Sequence, residues 1–224
     1  MQDYIAERKF IIISIIAIVG FFMFAIFQKP TESVSAGVNF KDINTSSTMY
    51  RGNKDAKVSI IQYSDFLCPS CSLFSTQVMP KIDTSYVATE KVNFEFRPMA
   101  FIADGSTQAG MGAYCAIDED KFWPYHDAIY AYVVNAVFNE AKNPKVDTIL
   151  TADIVKSIAK NASLKSDSFD TCLDSKKHLA DITQSTNQAN RNGVNGTPYI
   201  MVNGQQYTGD INLTPFDALI KSKL

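Results

Sequence analysis

The feature that most constrains this fold is a pair of cysteines placed between a buried strand and a helix. The segment "KVSIIQYSDF" is β-branched and ends at polar residues, which predicts a buried strand from about Val58 to Tyr63. The next segment, "CPSCSLFSTQVMPKIDTSY", has the apolar period of a helix. Pro69 suits the first turn, and Pro80 is expected to kink the helix. Cys68 and Cys71 therefore lie at the N-terminus of that helix.

A second strand follows this helix. "KVNFEFRPM" alternates strictly between apolar and polar residues, which predicts a strand with one polar face that ends at Pro98. The next ninety or so residues have helical patterns and no strand pattern, and Thr151 is the expected N-cap of one helix. A helical insertion at about residues 103–192 is therefore predicted.

Strands return near the end of the chain. "GTPYIMVNGQQYTG" predicts two short strands around a turn at Asn203 and Gly204. "TPFDALIKSKL" predicts a last helix with Thr214 as its N-cap and Pro215 at its first position. The predicted order is β-α-β, helices, then β-β-α. This order is that of an α/β thioredoxin fold with a large inserted helical domain, and we assign it to residues 48–224.

The N-terminal part of the chain has a different character. "FIIISIIAIVGFFMFAIF", from Phe10 to Phe27, carries no charge. As a helix it would span about 27 Å, close to the hydrocarbon thickness of a bilayer. We predict a transmembrane anchor at residues 10–27, a cytoplasmic tail at residues 1–9 and a flexible Ser/Thr-rich linker at residues 28–47. Arg8 and Lys9 favour an N-terminus inside the cytoplasm.

The domain would then face the periplasmic side of the inner or cytoplasmic membrane as part of a single-pass protein. The alternative is a signal peptide cleaved after "VSA", residues 34–36, which would leave a soluble periplasmic protein. Both readings place the domain in an oxidising compartment where disulfides persist. The net charge is −2 with both signs interspersed, so no basic surface indicates a nucleic-acid partner.

The cysteine pair has three possible roles. A structural zinc site needs about four ligands. The remaining candidate ligands are scattered singly along the sequence: Cys115, His126, Cys172 and His178. We therefore predict no metal. A structural bond between Cys68 and Cys71 would close a very short loop and constrain little of the unfolded chain.

The third role, a redox pair, agrees with the position of the cysteines. The free N–H groups and the dipole of a helix N-terminus stabilise a thiolate. Cys68 is expected to be the more exposed nucleophile, and Cys71, one turn further on, the shielded resolving cysteine.

Three other polar residues have less specific readings. Asp65 is either a proton acceptor near the pair or a residue that leads into the helix, and we favour the second reading. His126 lies on the apolar face of its helix, which favours a core histidine. His178 follows Lys176 and Lys177 and is expected to be solvated.

The pattern as a whole resembles the DsbA-like thiol–disulfide oxidoreductases of the thioredoxin superfamily. The resemblance rests on "VSIIQYSDFLCPSC", "CAIDEDKFWPYHDAIY" and "GVNGTPYIMVNG". It implies that Pro198 is cis and faces the cysteines, with Thr197 on the same surface. Many strong oxidases of the family have CPHC, whereas here Ser70 follows Pro69. Serine carries no positive charge, so a milder oxidant is expected.

The resemblance also implies a function. We expect a monomeric enzyme without a cofactor that introduces disulfides into exported proteins and is reoxidised by a quinone-linked DsbB-type membrane partner. Some relatives have a structural disulfide in the insertion, which implies a Cys115–Cys172 bond, with two buried free thiols as the alternative. Two other functions stay open: a disulfide isomerase or reductase kept reduced by a membrane partner, which Thr197 favours, and a tethered non-catalytic chaperone.

Overall fold

The computed structural model describes residues 49–139 and 145–224. The predicted tail, anchor and linker lie outside these residues. Within the described ranges, none of the helices has the length and apolar character that a bilayer span requires.

Five strands form one mixed sheet. They are β1 (Tyr50–Arg51), β2 (Val58–Asp65), β3 (Val92–Met99), β4 (Tyr199–Val202) and β5 (Gln205–Tyr207). Their spatial order is β1-β3-β2-β4-β5, with β2 and β3 parallel and the other pairs antiparallel. Asn203 and Gly204 both have positive φ, at 50° and 77°, which confirms the predicted hairpin. Sequence patterns missed β1 because two residues are too short to show a period.

The first helix, α1, starts at Pro69 as predicted and changes its hydrogen-bond pattern along its length. It consists of an α-helical part (Pro69–Leu73), a π-helical turn (Phe74–Val78), a second α-helical part (Met79–Ile82) and a second π-helical turn (Asp83–Val87). Pro80 is the second residue of the second α-helical part, two positions after the first π-helical turn ends at Val78. The predicted distortion therefore takes the form of a widened turn before the proline.

The insertion between β3 and β4 is helical, as predicted. Its helices are α2 (Asp104–Ile117), α3 (Phe122–Val134, continued by a π-helical turn, Asn135–Asn139), α4 (Ala152–Asn161), α5 (Ser166–Asp174) and α6 (Leu179–Arg191), with a 3₁₀ turn at Val146–Thr148. The Thr151 hydroxyl accepts from the N–H of Ile154, which confirms this N-cap. The amphipathic run before β4 is broken into α5 and α6 at Lys176, which has a φ of +53°.

The last helix, α7 (Leu213–Lys223), begins earlier than predicted. Its N-cap is Asn212, not Thr214, and Pro215 is the third helical residue instead of the first. Asn212 is extended, and both its backbone N–H and its side-chain amide donate to Asp210. Pro215 still lies in the first turn, where its missing N–H has no intrahelical acceptor.

The predicted end of β3 was wrong, because the strand continues through Pro98 to Met99. Its two faces are apolar and polar as predicted, and all eight residues are buried. Helix α6 packs against β3, and its Ser185 hydroxyl donates to the Pro98 carbonyl at 2.6 Å. The polar residues of the second face are paired inside the protein, since Arg97 donates to Glu95 at 2.8 Å and to the Tyr63 hydroxyl at 2.7 Å. Because β1 pairs only with the middle of β3, Pro98 lies beside an open edge.

Candidate active site

The two cysteines lie where β2 ends and α1 begins. Cys68 is the N-cap of α1, and its Sγ accepts from the backbone N–H of Cys71 at 3.2 Å. Pro69 and Ser70 are exposed at the outer side of this turn. Cys68 is 5% exposed and Cys71 is fully buried. The predicted order of exposure is confirmed, although even Cys68 shows little of its surface to solvent.

A second loop, distant in sequence, closes over Cys68. Strand β4 runs antiparallel to β2, and Tyr199 pairs with Tyr63. The residues just before β4 therefore lie beside the end of β2. The Cys68 thiol donates to the backbone carbonyl of Thr197 at 3.3 Å, and the peptide bond between Thr197 and Pro198 is cis. The structure thus places the Thr197–Pro198 loop beside Cys68, a proximity that sequence analysis inferred only from family resemblance.

The electrostatics of the pair separate the two sulfurs. A hydrogen bond from the Cys71 thiol lowers the pKa of Cys68 to about 7, helped by the Thr197 side chain and the Cys71 backbone N–H. Burial and the charge of Asp65 oppose this shift. Burial raises the pKa of Cys71 well above its ordinary value, and the neighbouring Cys68 raises it further. Of the two sulfurs, Cys68 is therefore the one that ionises near neutral pH, while Cys71 keeps its proton.

A buried polar chain reaches Cys71 from inside the protein. The hydroxyls of Ser64 and Tyr130 are 2.6 Å apart, and the Gln62 amide donates to Ser64 at 3.2 Å. The Ser64 hydroxyl also lies close enough to the Cys71 thiol to lower its pKa. Sequence reasoning missed these residues. The available signal was the polar pair Gln62 and Ser64, two residues apart in a strand that is otherwise predicted to be buried.

Asp65 connects two backbone segments of this site. Its buried carboxylate accepts from the backbone N–H groups of Leu67 at 2.9 Å, Phe101 at 2.9 Å and Ile102 at 3.2 Å. Burial raises its pKa despite these bonds. Asp65 thereby fixes the turn before Cys68 and holds the loop of Phe101 and Ile102 against it. The side chains of Phe101 and Ile102 are 51% and 37% exposed.

The other predicted residues fall into two groups. Cys115 on α2 and Cys172 on α5 form the implied disulfide, with their Cα atoms 5.9 Å apart. His126 is a core histidine, as predicted: its Nδ1 is bonded to Asp127 at 2.7 Å, and burial lowers its pKa. The prediction for His178 was wrong. Its side chain is only 14% exposed, because the turn between α5 and α6 folds it onto α2.

A sheet with a cis-proline loop closed over a cysteine pair is the fold of a thioredoxin-superfamily thiol–disulfide oxidoreductase. A family model described as thioredoxin matches residues 44–222. The probable disulfide bond formation protein D of Bacillus cereus is 30% identical over 178 residues, which is 76% of this chain and 74% of the relative.

Solved structures show the same fold. Oxidised BdbD from Bacillus subtilis superposes with a TM-score of 0.67 at 22% identity, covering 78% of this chain and 91% of that structure. DsbA from Chlamydia trachomatis gives a TM-score of 0.66 at 17% identity, covering 80% and 93%. This chain belongs to the DsbA-like thiol–disulfide oxidoreductases, and it is a protein-disulfide oxidoreductase.

Proposed function

We propose that this enzyme introduces disulfide bonds into exported proteins outside the cytoplasm, anchored to the membrane through residues 10–27. The observation that carries the proposal is the unequal pair, in which Cys68 has a lowered pKa and Cys71 a raised one. A stabilised Cys68 thiolate favours the reduced form of the enzyme. An enzyme whose reduced form is stabilised passes its disulfide on to substrates.

The reaction takes two thiol–disulfide exchanges. A substrate thiolate attacks Cys68 Sγ of the oxidised enzyme, which forms a mixed disulfide and releases the Cys71 thiolate. A second substrate thiolate then attacks the substrate sulfur of the mixed disulfide and releases the Cys68 thiolate. The substrate loses two electrons as its disulfide forms, and the enzyme gains them as a dithiol. A quinone-linked DsbB-type partner, by family resemblance, removes the two electrons again.

The surroundings of the pair support different fates for the two leaving sulfurs. When Cys68 is released as a thiolate, the Cys71 thiol and backbone N–H donate hydrogen bonds to it, so it needs no proton. When Cys71 is released as a thiolate, it is buried, and it must take up a proton because burial raises its pKa. The side chains of Ser64, which is linked to Tyr130, and of Thr197 can bond the sulfur while that proton arrives.

The surface beside Cys68 suits an unfolded substrate. Phe101 and Ile102 are exposed apolar side chains, and the buried Asp65 holds their backbone next to the turn that carries Cys68. Half-buried Thr197 borders the sulfur on another side. Apolar side chains beside a reactive sulfur favour reduced, unfolded chains, whose own apolar residues are still exposed.

Single-turnover oxidation tests the proposed direction. The oxidised full chain in detergent is mixed with a reduced protein that carries two cysteines. We expect one disulfide formed per parent enzyme. Cys71→Ser has no disulfide of its own, so it is first loaded at Cys68 as a mixed disulfide with glutathione; the thiolate of a single-cysteine substrate variant should then displace the glutathione thiolate and stay bound to Cys68. Cys68→Ser is the matched control and should trap nothing. An isomerase would instead act in its reduced form on a substrate with wrongly paired disulfides, and that result would overturn the oxidase proposal.

The proposed location is tested separately. We expect the full chain to sediment with membranes and to resist extraction by carbonate. Protease added to spheroplasts should remove the domain that carries Cys68. A chain recovered in the soluble periplasmic fraction, shortened near residues 34–36, would support signal cleavage over the anchor.

A further inference from the structure

The Cys115–Cys172 disulfide lies within a cluster of metal-ligating side chains. The two sulfurs and a ring nitrogen of His178 all lie within 4.8 Å of one another. Asp118 Oδ2 is 2.9 Å from His178 Nε2 and 4.0 Å from Cys172 Sγ. These residues come from α2 and its C-cap, from α5, and from the N-cap of α6.

We propose that the reduced Cys115–Cys172 pair binds a zinc ion together with His178 and Asp118. Two thiolates, one imidazole and one carboxylate make four donors, which is the number that a tetrahedral zinc site takes. Thiolate and imidazole donors select zinc over magnesium or calcium. The disulfide form offers no thiolate, so the site exists only in the reduced chain.

The orientation of His178 suits a ligand. Its Nδ1 is bonded to Asp181 Oδ2 at 2.6 Å, which leaves Nε2 directed at Asp118. The ring also stacks on Tyr114, with centroids 5.8 Å apart. Zinc-bound histidines commonly donate their second ring N–H to a carboxylate, which fixes the tautomer and the ring orientation. Asp181 would hold that position, and the metal would take the place of the hydrogen bond between Nε2 and Asp118.

Charge and access also suit a cation. Cys115 and Cys172 are 1% and 9% exposed, whereas the Asp118 side chain is 38% exposed. An ion can therefore enter from the Asp118 side and meet sulfur ligands in the interior. Lys177 now pairs with Asp118 at 2.8 Å, but its side chain is 56% exposed and can turn into solvent. Two thiolates, the Asp118 carboxylate and the His178 imidazole then surround the ion.

The redox step balances with a dithiol as reductant. The disulfide takes up two electrons and two protons to give two thiols, while the reductant's dithiol becomes a disulfide. Zinc then binds and displaces the two thiol protons. Metal binding and disulfide formation are therefore mutually exclusive at this pair. Zinc should slow the closure of the Cys115–Cys172 bond, because a free thiolate must attack the oxidant and zinc holds both thiolates.

Zinc binding is measured on the full chain in detergent with Cys68→Ser and Cys71→Ser, so that the redox pair contributes no sulfur. The chain is reduced, freed of reductant without oxygen, and titrated with Zn²⁺ against a chromogenic chelator. We expect one zinc per reduced chain and none per oxidised chain. Cobalt(II) should give a sulfur-to-metal charge-transfer band, and Zn²⁺ should slow the glutathione-driven closure of the pair until a chelator is added.

Variants assign the ligands. We expect about 10–100-fold weaker zinc binding in Asp181→Asn, which removes the carboxylate behind the His178 ligand. His178→Ala and Asp118→Asn each alter a ligand and should weaken binding by at least as much. Asp174→Asn, whose partner is Lys156, is the matched control and should bind as the parent does. Each variant can be checked for folding in its disulfide form, which needs no metal.

Three results would overturn the proposal. They are no zinc on the reduced chain, equal affinity in the oxidised chain, or an affinity unchanged by His178→Ala. None of them depends on the direction in which Cys68 and Cys71 exchange electrons, so the zinc site and the oxidase function can fail independently.

Discussion

Replacing Thr197 by valine tests how the structure sets the pKa of Cys68. The substitution keeps the branched shape and the backbone carbonyl that accepts from Cys68, and it removes only the hydroxyl. The Thr197 side chain is one of the groups that lower the pKa of Cys68 to about 7. A hydrogen bond to a charged group is worth about 1.5–3 kcal/mol when well buried. Thr197 is half-buried, so we take about 1.4 kcal/mol, or about one pKa unit.

The effect on the redox potential depends on pH. Only the thiolate benefits from the hydroxyl, and at a pKa of about 7 half of the reduced enzyme is thiolate near neutral pH. A one-unit rise in pKa then lowers the potential by about 8 mV near pH 7 and about 28 mV near pH 9, at about 30 mV per tenfold change in the equilibrium constant. The Thr197→Val enzyme should therefore be more reducing, and increasingly so as the pH rises.

Two measurements check this prediction. Ultraviolet absorbance of the thiolate gives the pKa of Cys68, and equilibration with glutathione gives the potential at each pH. Ser70→Ala is the matched control, since Ser70 is exposed and its hydroxyl has no hydrogen-bond partner among the described residues. A potential difference that stays constant between the two pH values would refute the thiolate explanation. An unchanged pKa would show that the hydroxyl does not act on the sulfur.

Three further predictions concern the framework of the domain. Glu95→Gln removes the negative charge that pairs with the buried Arg97 and leaves it only neutral partners such as the Tyr63 hydroxyl. It should lower the free energy of unfolding, measured in urea, by about 3–5 kcal/mol, and a loss below about 1 kcal/mol would contradict this. Removing the disulfide through Cys115→Ala with Cys172→Ala opens a loop of 57 residues and should cost about 4 kcal/mol by loop entropy, and a change in the urea midpoint near zero would refute it. His126 is held neutral, with a folded pKa below its unfolded value near 6.5, so its contribution to stability is complete above pH 6.5 and lost as the pH falls. Between about pH 7.5 and pH 5.5, the free energy of unfolding should therefore fall less in His126→Phe than in the parent. An equal fall in both proteins would contradict the assignment.

Most of the framework was predictable because local patterns agree with the final packing. The β-branched run from Val58 specifies a buried strand, and the turn at Asn203 and Gly204 specifies a hairpin. Strand β3 shows the limit of this reasoning. Its alternation correctly indicates two chemically different faces, but only the packing of α6 decides that the polar face is also buried.

The candidate site was predictable where local sequence positions a residue and unpredictable where distant elements meet. Cys68 and Cys71 follow from the strand, the proline and the helix start, and Pro198 followed from family resemblance. Tyr130 could not be found, since nothing near it in sequence indicates that it faces Ser64 on a distant strand. His178 was misread for the same reason, because a lysine-rich neighbourhood says nothing about the fold of the turn between α5 and α6.

The redox potential of the Cys68–Cys71 pair tests the oxidase proposal most directly. The purified full chain is equilibrated in glutathione buffers near pH 7, and the reduced fraction is counted by thiol alkylation. A DsbA-like oxidase with a Cys68 pKa of about 7 should have a potential more oxidising than the value of about −270 mV for thioredoxin, and milder than the value of about −120 mV for a strong CPHC oxidase. A potential at or below that of thioredoxin would contradict the proposed direction of electron flow.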